Sequence, residues 1–168
     1  VLLDPIANAY RYGTPQLFQD AVGNFTSHIA SPVTIVNTAL QGNYDKFSNA
    51  MGRFLVNTVF GLFGLLDVAT ELGIPKENED FGQTLAVWGM GPGPYLMLPF
   101  LGPATSRGLL GRGVNVLSTP TNYIEDDAFV YGVNVLDGVH SYAGRMDAMK
   151  RVRASSLDYY ATLRTFYL

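Results

Sequence analysis

Cysteine is absent from this 168-residue chain, which excludes a disulfide scaffold, a thiolate metal site and a cysteine nucleophile together. It also excludes a lipid-modified cysteine within this stretch. Charge is scarce as well: Asp, Glu, Lys and Arg supply 15% of the residues, where globular domains average about 25%. The formal net charge is −3 and the one basic cluster lies between Arg145 and Arg153, which argues against a nucleic-acid partner. Long apolar runs are missing too. No charge occurs, histidine aside, in Ala21 to Tyr44, in the 13 residues from Phe54 to Leu66, or in the 26 residues from Phe81 to Ser106. A membrane-spanning helix needs about 20 consecutive apolar residues. None of the three qualifies: Ser31-Pro32 and several polar side chains break the first, the second is too short, and glycines and prolines crowd the middle of the third. Such segments either fill a core or lie on or in a membrane without forming a simple bundle of spans. The chain opens on Val1 with no basic n-region or small-residue cleavage site. The expectation is a trimmed chain whose targeting information has been removed.

What is present, 48% hydrophobic residues, is arranged with helical period. Thr14-Pro15 reads as a helix start, followed by Leu17, Phe18, Ala21, Val22, Phe25 and Ile29 at spacings of three and four. Ser31-Pro32 reads as a second start, with Gly42 as the stop, and Asn43 as the cap of a third helix carrying Phe47, Ala50, Met51, Phe54 and Leu55 on one face. Short helices are expected at Leu65 to Leu72 and Phe81 to Trp88, flanking an acidic loop from Pro75 to Asp80. Gly89-Met90-Gly91-Pro92-Gly93-Pro94 cannot continue a helix. Tyr95 to Leu98 is a weak strand candidate, Ala104 to Leu117 a helix, and Thr119-Pro120 its end. Val135, Leu136, Val139, Ala143, Met146 and Met149 form a long stripe, and Ser156-Leu157-Asp158 opens a final helix to Leu168. The fold class is all-α, with little or no β structure.

Catalytic and metal-binding signals do not accumulate. His28 and His140 lack partners at ligand spacing, so each reads as a helix-face histidine with a satisfied ring. Glu125-Asp126-Asp127 lacks the alternating ligands and central glycine of a calcium loop and reads as a helix start. The glycines at 89, 91 and 93 resemble a nucleotide loop only superficially, because prolines interrupt the helix N-terminus that would hold phosphates. No Gly-x-Ser-x-Gly elbow is present. No catalytic residue, metal or cofactor is expected.

The stretch from Arg53 to Arg107 is more specific. Arg53-Phe54-Leu55-Val56-Asn57-Thr58, Gly61-Leu62-Phe63-Gly64-Leu65-Leu66-Asp67-Val68-Ala69 and Glu79-Asp80-Phe81-Gly82-Gln83-Thr84-Leu85 occur in order. Trp88-Gly89, Gly93-Pro94-Tyr95, Leu98-Pro99 and Leu101-Gly102-Pro103-Ala104-Thr105-Ser106-Arg107 follow. This series closely resembles the signature of the MlaA/VacJ outer-membrane lipoproteins, and the resemblance extends over nearly the whole chain, residues 1–168, as a single domain. The family's lipid-attachment cysteine and first N-terminal segment do not appear, Gly108 stands where an acid is common, and Tyr159 where a proline is usual. The anchor is expected to precede Val1.

The resemblance implies a mainly helical, ring-like domain that sits in the bilayer around an amphipathic channel and associates with trimeric porins. It further implies a non-enzymatic role: withdrawing phospholipid misplaced in the outer leaflet of a Gram-negative outer membrane and passing it to a periplasmic carrier. On that reading Phe54, Leu55, Phe60, Phe63, Leu66, Tyr95, Leu96, Leu98 and Phe100 are candidates for lipid contact. Gly89, Gly91, Gly93 and Pro94 shape or flex the channel mouth, or else form a fixed turn. Arg145, Lys150, Arg151 and Arg153 are candidates for docking a partner, or else a solvated helix end. The alternative function is an anchored scaffold that docks porin and periplasmic partners without itself conducting lipid.

Overall fold

The computed structural model describes residues 3–98, 102–156, 158 and 162–165. In order these form α1 (Asp4–Gly13), α2 (Gln16–Leu40), α3 (Tyr44–Val59), α4 (Val68–Glu71), α5 (Phe81–Val87), β1 (Tyr95–Leu98), β2 (Gly102–Thr105), α6 (Ser106–Ser118), a 3-10 turn at Pro120–Tyr123, and α7 (Asp127–Ser155). The fold is mostly helical, as expected. Side-chain oxygens set several helix starts: Asn43, Asp67, Asp80, Thr105 and Asp126 each accept a backbone N–H from the first turn that follows.

Four elements differ from the sequence reading. Helix α1 was not expected. Helix α2 runs unbroken through Ser31-Pro32; an interior proline costs about 3 kcal/mol, and packing against both α3 and α7 along the 25-residue length offsets it. The helix expected from Leu65 shrinks to Val68–Glu71 because the residues before Asp67 turn left-handed. Helix α6 starts at Ser106 because Gly102–Thr105 pair antiparallel with Tyr95–Leu98, Tyr95 opposite Thr105. The final helix expected from Ser156 falls largely outside the described residues.

The packing is inverted relative to an ordinary core. Among the described residues the buried apolar set is Ala7, Tyr10, Val22, Ala50, Ala69, Ala104, Val133, Ala143 and Met146, mostly small side chains. Polar residues are buried beside them: Asn37, Thr38, Arg53, Glu79, Thr84, Thr105 and Thr121. Around Thr84, whose hydroxyl donates to Asn37 Oδ1 at 2.7 Å, Gln41 donates to Glu79 at 3.0 Å and Lys46 to the other Glu79 oxygen at 2.6 Å. This network ties α2, α3 and α5 with polar bonds. Large apolar side chains meanwhile face outward, among them Phe60, Phe63, Val116, Leu117 and Tyr131. The α7 stripe is only half covered: Ala143 and Met146 pack with Ala7 and Tyr10, while Val135, Leu136 and Met149 are exposed. The accessible surface is 10735 Å², where a globular monomer of 18.3 kDa would expose about 8100 Å².

Candidate functional site

Two adjoining cavities run between α2, α3, the loop before α5, and α7. The narrower, about 360 Å³, is lined by Ser31, Thr34, Arg53, Asn57, Asn78, Thr121 and Asn134 among others. The wider, about 800 Å³, is lined by Asp20, Glu71, His140 and Ser141. Asn24, Thr26, Ser27, Asp67, Lys76 and Asp137 line both, so the two share a wall. On α2, Asn24, Ser27, Ser31 and Thr34 follow at steps of three and four and turn one polar stripe toward this space.

The wall on the α3 side is built around Arg53. Its guanidinium, nearly buried, gives hydrogen bonds of 2.7 Å to both Asp67 oxygens, 3.0 Å to Thr70 Oγ1 and 2.5 Å to the Ile74 carbonyl. Asn57 donates to Asp67 at 2.9 Å and accepts the Ala69 N–H at 2.9 Å. Partial burial pushes the Asp67 carboxyl up, but hydrogen bonds from Thr70 and Asn57, with the charge and bonds of Arg53, outweigh it and hold the group down at about 2. The histidine rings are both partnered: His28 Nε2 lies 3.2 Å from Thr58 Oγ1, and His140 Nδ1 lies 3.1 Å from Tyr10 OH.

Outside this wall, residues 60–66 form a tight apolar loop. Leu62 and Phe63 take positive φ of 52° and 56°, followed by Gly64 at 88°, a conformation that costs non-glycine residues roughly 1–2 kcal/mol each. Backbone bonds hold it, with Gly64 N–H to Asn57 O and Leu66 N–H to Gly61 O both at 2.9 Å. The outer side presents Phe60, Leu62 and Phe63 to the surroundings. The inner side meets the cavities, where Asn24 Nδ2 donates to the Leu65 carbonyl and Leu66 lines the wider space. One loop thus carries apolar side chains on its outer side and meets the cavities on its inner side.

The sequence profile of the MlaA lipoprotein family spans residues 1–168. The chain belongs to that family. It is 34% identical to the intermembrane phospholipid transport system lipoprotein MlaA of Shigella flexneri and 33% identical to that of Escherichia coli strain K12, each over 99% of this chain and 66% of the relative. An uncharacterized protein of Rickettsia felis is 35% identical over 98% of this chain and 66% of its own length. The chain therefore spans slightly less than two thirds of these relatives. A solved structure described as "Structural basis for maintenance of bacterial outer membrane lipid asymmetry" superposes with a TM-score of 0.83 and 32% identity, covering 98% of this chain and 83% of the other.

Within this MlaA-family body the sequence candidates separate. Leu55, Phe60, Phe63 and Leu96 are exposed on the outside, while Leu66, also exposed, lines the wider cavity. Phe54 is half-buried and stacks on the His28 ring, 4.9 Å between centroids, so it faces inward. Tyr95 and Leu98 are half-buried in the hairpin, and Phe100 lies outside the described residues. Gly89 closes α5, its N–H bonding Ala86 O while Met90 N–H reaches Leu85 O, the pairing of a glycine helix terminus. Arg107 then ties the segment down through Met90 O and Pro92 O. Pro94 is exposed beside it. Gly91 has open space around it, whereas a side chain at Gly93, at φ 69°, would meet Ser106 at 3.0 Å. We expect Gly91→Val to leave the thermal midpoint within about 2 °C of the parent, and Gly93→Val to lower stability by about 1–3 kcal/mol. Denaturation of the two variants in detergent reads this directly.

The basic candidates do not share a face. At about 100° per residue, Arg145, Lys150, Arg151 and Arg153 fan around the exposed end of α7. Lys150 lies 3.6 Å from Asp4, and Arg145 bonds the Ser141 carbonyl of its own helix. Sequence reasoning missed the cavity residues Lys76, Asp137 and Asn134 and the Arg53–Asp67 pair. The pair had a signal, since the two charges bracket the charge-free run from Phe54 to Leu66.

Proposed function

We propose that this chain is a phospholipid-transport component that removes phospholipid misplaced in the outer leaflet of a Gram-negative outer membrane and hands it to a periplasmic carrier. The observation that carries the reading is the distribution of polarity: two adjoining open cavities lined by polar, charged and apolar groups together, in a body that carries many large apolar side chains on its outside. A charged head group crossing an apolar medium needs polar partners throughout, while acyl tails need hydrocarbon contact, and this arrangement supplies both. The names of the Escherichia coli and Shigella flexneri relatives support the same reading.

No helix among the described residues is long and apolar enough to cross a membrane. The body, one domain, embeds as a ring without spanning helices, its outward apolar side chains facing lipid and its backbone bonds satisfied within helices. If five large exposed side chains such as Leu55, Phe60, Leu62, Phe63 and Leu117 entered hydrocarbon, the gross gain would be roughly 10 kcal/mol at about 2 kcal/mol each. A lipid anchor upstream of Val1, a trimeric porin alongside and a soluble periplasmic acceptor complete the proposed setting. The chain works without covalent chemistry, and incubation with phospholipid should release neither fatty acid nor lysolipid.

The test is to fill the cavity. Ser27→Trp and Asn134→Trp place bulk in the narrower space. Expressed in cells lacking their own family member, the parent should restore low outer-leaflet phospholipid, and both variants should fail at normal abundance. Restoration by both variants would sink the transport reading in favour of a scaffold that docks porin and carrier without conducting lipid.

A further inference from the structure

The lining of the wider cavity carries charges in a particular arrangement. Asp20, which accepts from Gln16 at 2.8 Å, comes from α2, Glu71 from α4 and Asp137 from α7, so the lining draws carboxylates from three elements. Asp67 is a fourth, but Arg53 neutralises it. Lys76 is the lysine that lines both cavities. Its ammonium has a long, 3.5 Å contact with the neutral hydroxyl of Ser27, which leaves it able to take a stronger, charged acceptor. The volume, about 800 Å³, lies in the range of cavities that enclose small organic ligands, roughly 300–1,000 Å³.

Resting on the transport reading, we propose that this passage selects amine-bearing zwitterionic phospholipid over net-anionic phospholipid, with Lys76 meeting the phosphate and Asp20, Glu71 and Asp137 meeting the ammonium. Every phospholipid offers the phosphate, so Lys76 does not discriminate. The carboxylates do: an ethanolamine head group places a cation among them, whereas a glycerol head group brings only hydroxyls and leaves a net negative charge facing three more. Water and salt soften the effect, because the cavity is open. Discrimination of about tenfold therefore follows rather than exclusion.

The full-length protein would be placed in vesicles containing equal phosphatidylethanolamine and phosphatidylglycerol with identical acyl chains. Phospholipid that stays with the protein through detergent extraction is then quantified by mass spectrometry. The parent should retain the ethanolamine lipid about five- to tenfold over the glycerol lipid. Glu71→Gln with Asp137→Asn, both at exposed positions on the cavity lining, should bring the ratio toward one, and Lys76→Gln should lower retention of both lipids alike. Equal retention of the two lipids by the parent overturns the selectivity while leaving transport standing. A preference that survives the charge removal, or that survives blocking by Ser27→Trp, also overturns it, because the lipid would then be bound outside the cavity. Retention of neither lipid overturns both this inference and the passage on which it rests.

Discussion

Arg53→Met should cost the folded chain about 3 kcal/mol, near the low end of what is lost when one partner of a buried ion pair is removed. Arg53 is 9% exposed and gives four hydrogen bonds, two of them to Asp67. Met preserves much of the side chain's length and apolar contact, so the loss reports on charge and hydrogen bonding. Asp67 would keep Asn57 and Thr70 as donors, and its place on the cavity wall gives water partial access; both hold the cost below the maximum. Arg53→Lys should recover little, because an ammonium cannot reproduce the planar fork that reaches two carboxylate oxygens and a carbonyl together. Adding Asp67→Asn to Arg53→Met should return part of the loss by removing the uncompensated charge.

The same network sets the acid limb of stability. Asp67 has its folded pKa lowered from 3.8 to about 2, so its contribution is fully present above about pH 4 and is lost as pH falls through about 2. In Arg53→Met the folded value moves back toward the ordinary carboxylate range, and the part of the acid limb that belongs to Asp67 flattens. Denaturant titrations at pH 5, 4, 3 and 2.5 measure both effects. Equal stability of Arg53→Met and parent at pH 5 would show that the pair does not hold α3 to α4.

The sequence reveals local decisions far better than convergent ones. Asn43 caps α3 and Asp126 caps α7 because an Asx side chain reaches the N–H three residues on, a relation contained in the sequence itself. Pro32 misleads because its cost is local and the packing that overrides it comes from α3 and α7. The polar stripe Asn24, Ser27, Ser31 and Thr34 is legible as a helix face; what lies opposite is not, since Lys76 and Asp137 arrive from distant elements. Outward apolar residues such as Val135 have the same period as buried ones, so periodicity alone cannot tell a core from a lipid-facing surface. The structure separates the two by placing Val135 outside, and it brings together the cavity lining on which the proposed passage rests.

Gly64→Ala should be among the more disruptive single-methyl changes at the described glycines, costing about 2–5 kcal/mol. Two effects add. At φ 88° a Cβ is strained by roughly 1–2 kcal/mol. That same Cβ would stand 2.3 Å from both Cβ and Cγ of His28, so α2 or the loop must shift, with an overpacking cost of about 1–3 kcal/mol. Gly42 provides the control: its φ is 69° and nothing lies within 4 Å of a Cβ there, so Gly42→Ala carries the conformational cost alone. The difference between the two variants in denaturation isolates the collision with His28. In a His28→Gly background, where that collision is gone, Gly64→Ala should fall to the Gly42→Ala value. If instead Gly64→Ala and Gly42→Ala cost the same in the parent, the loop is not pressed against α2, and the apolar knob at Leu62 and Phe63 is not braced by the cavity wall.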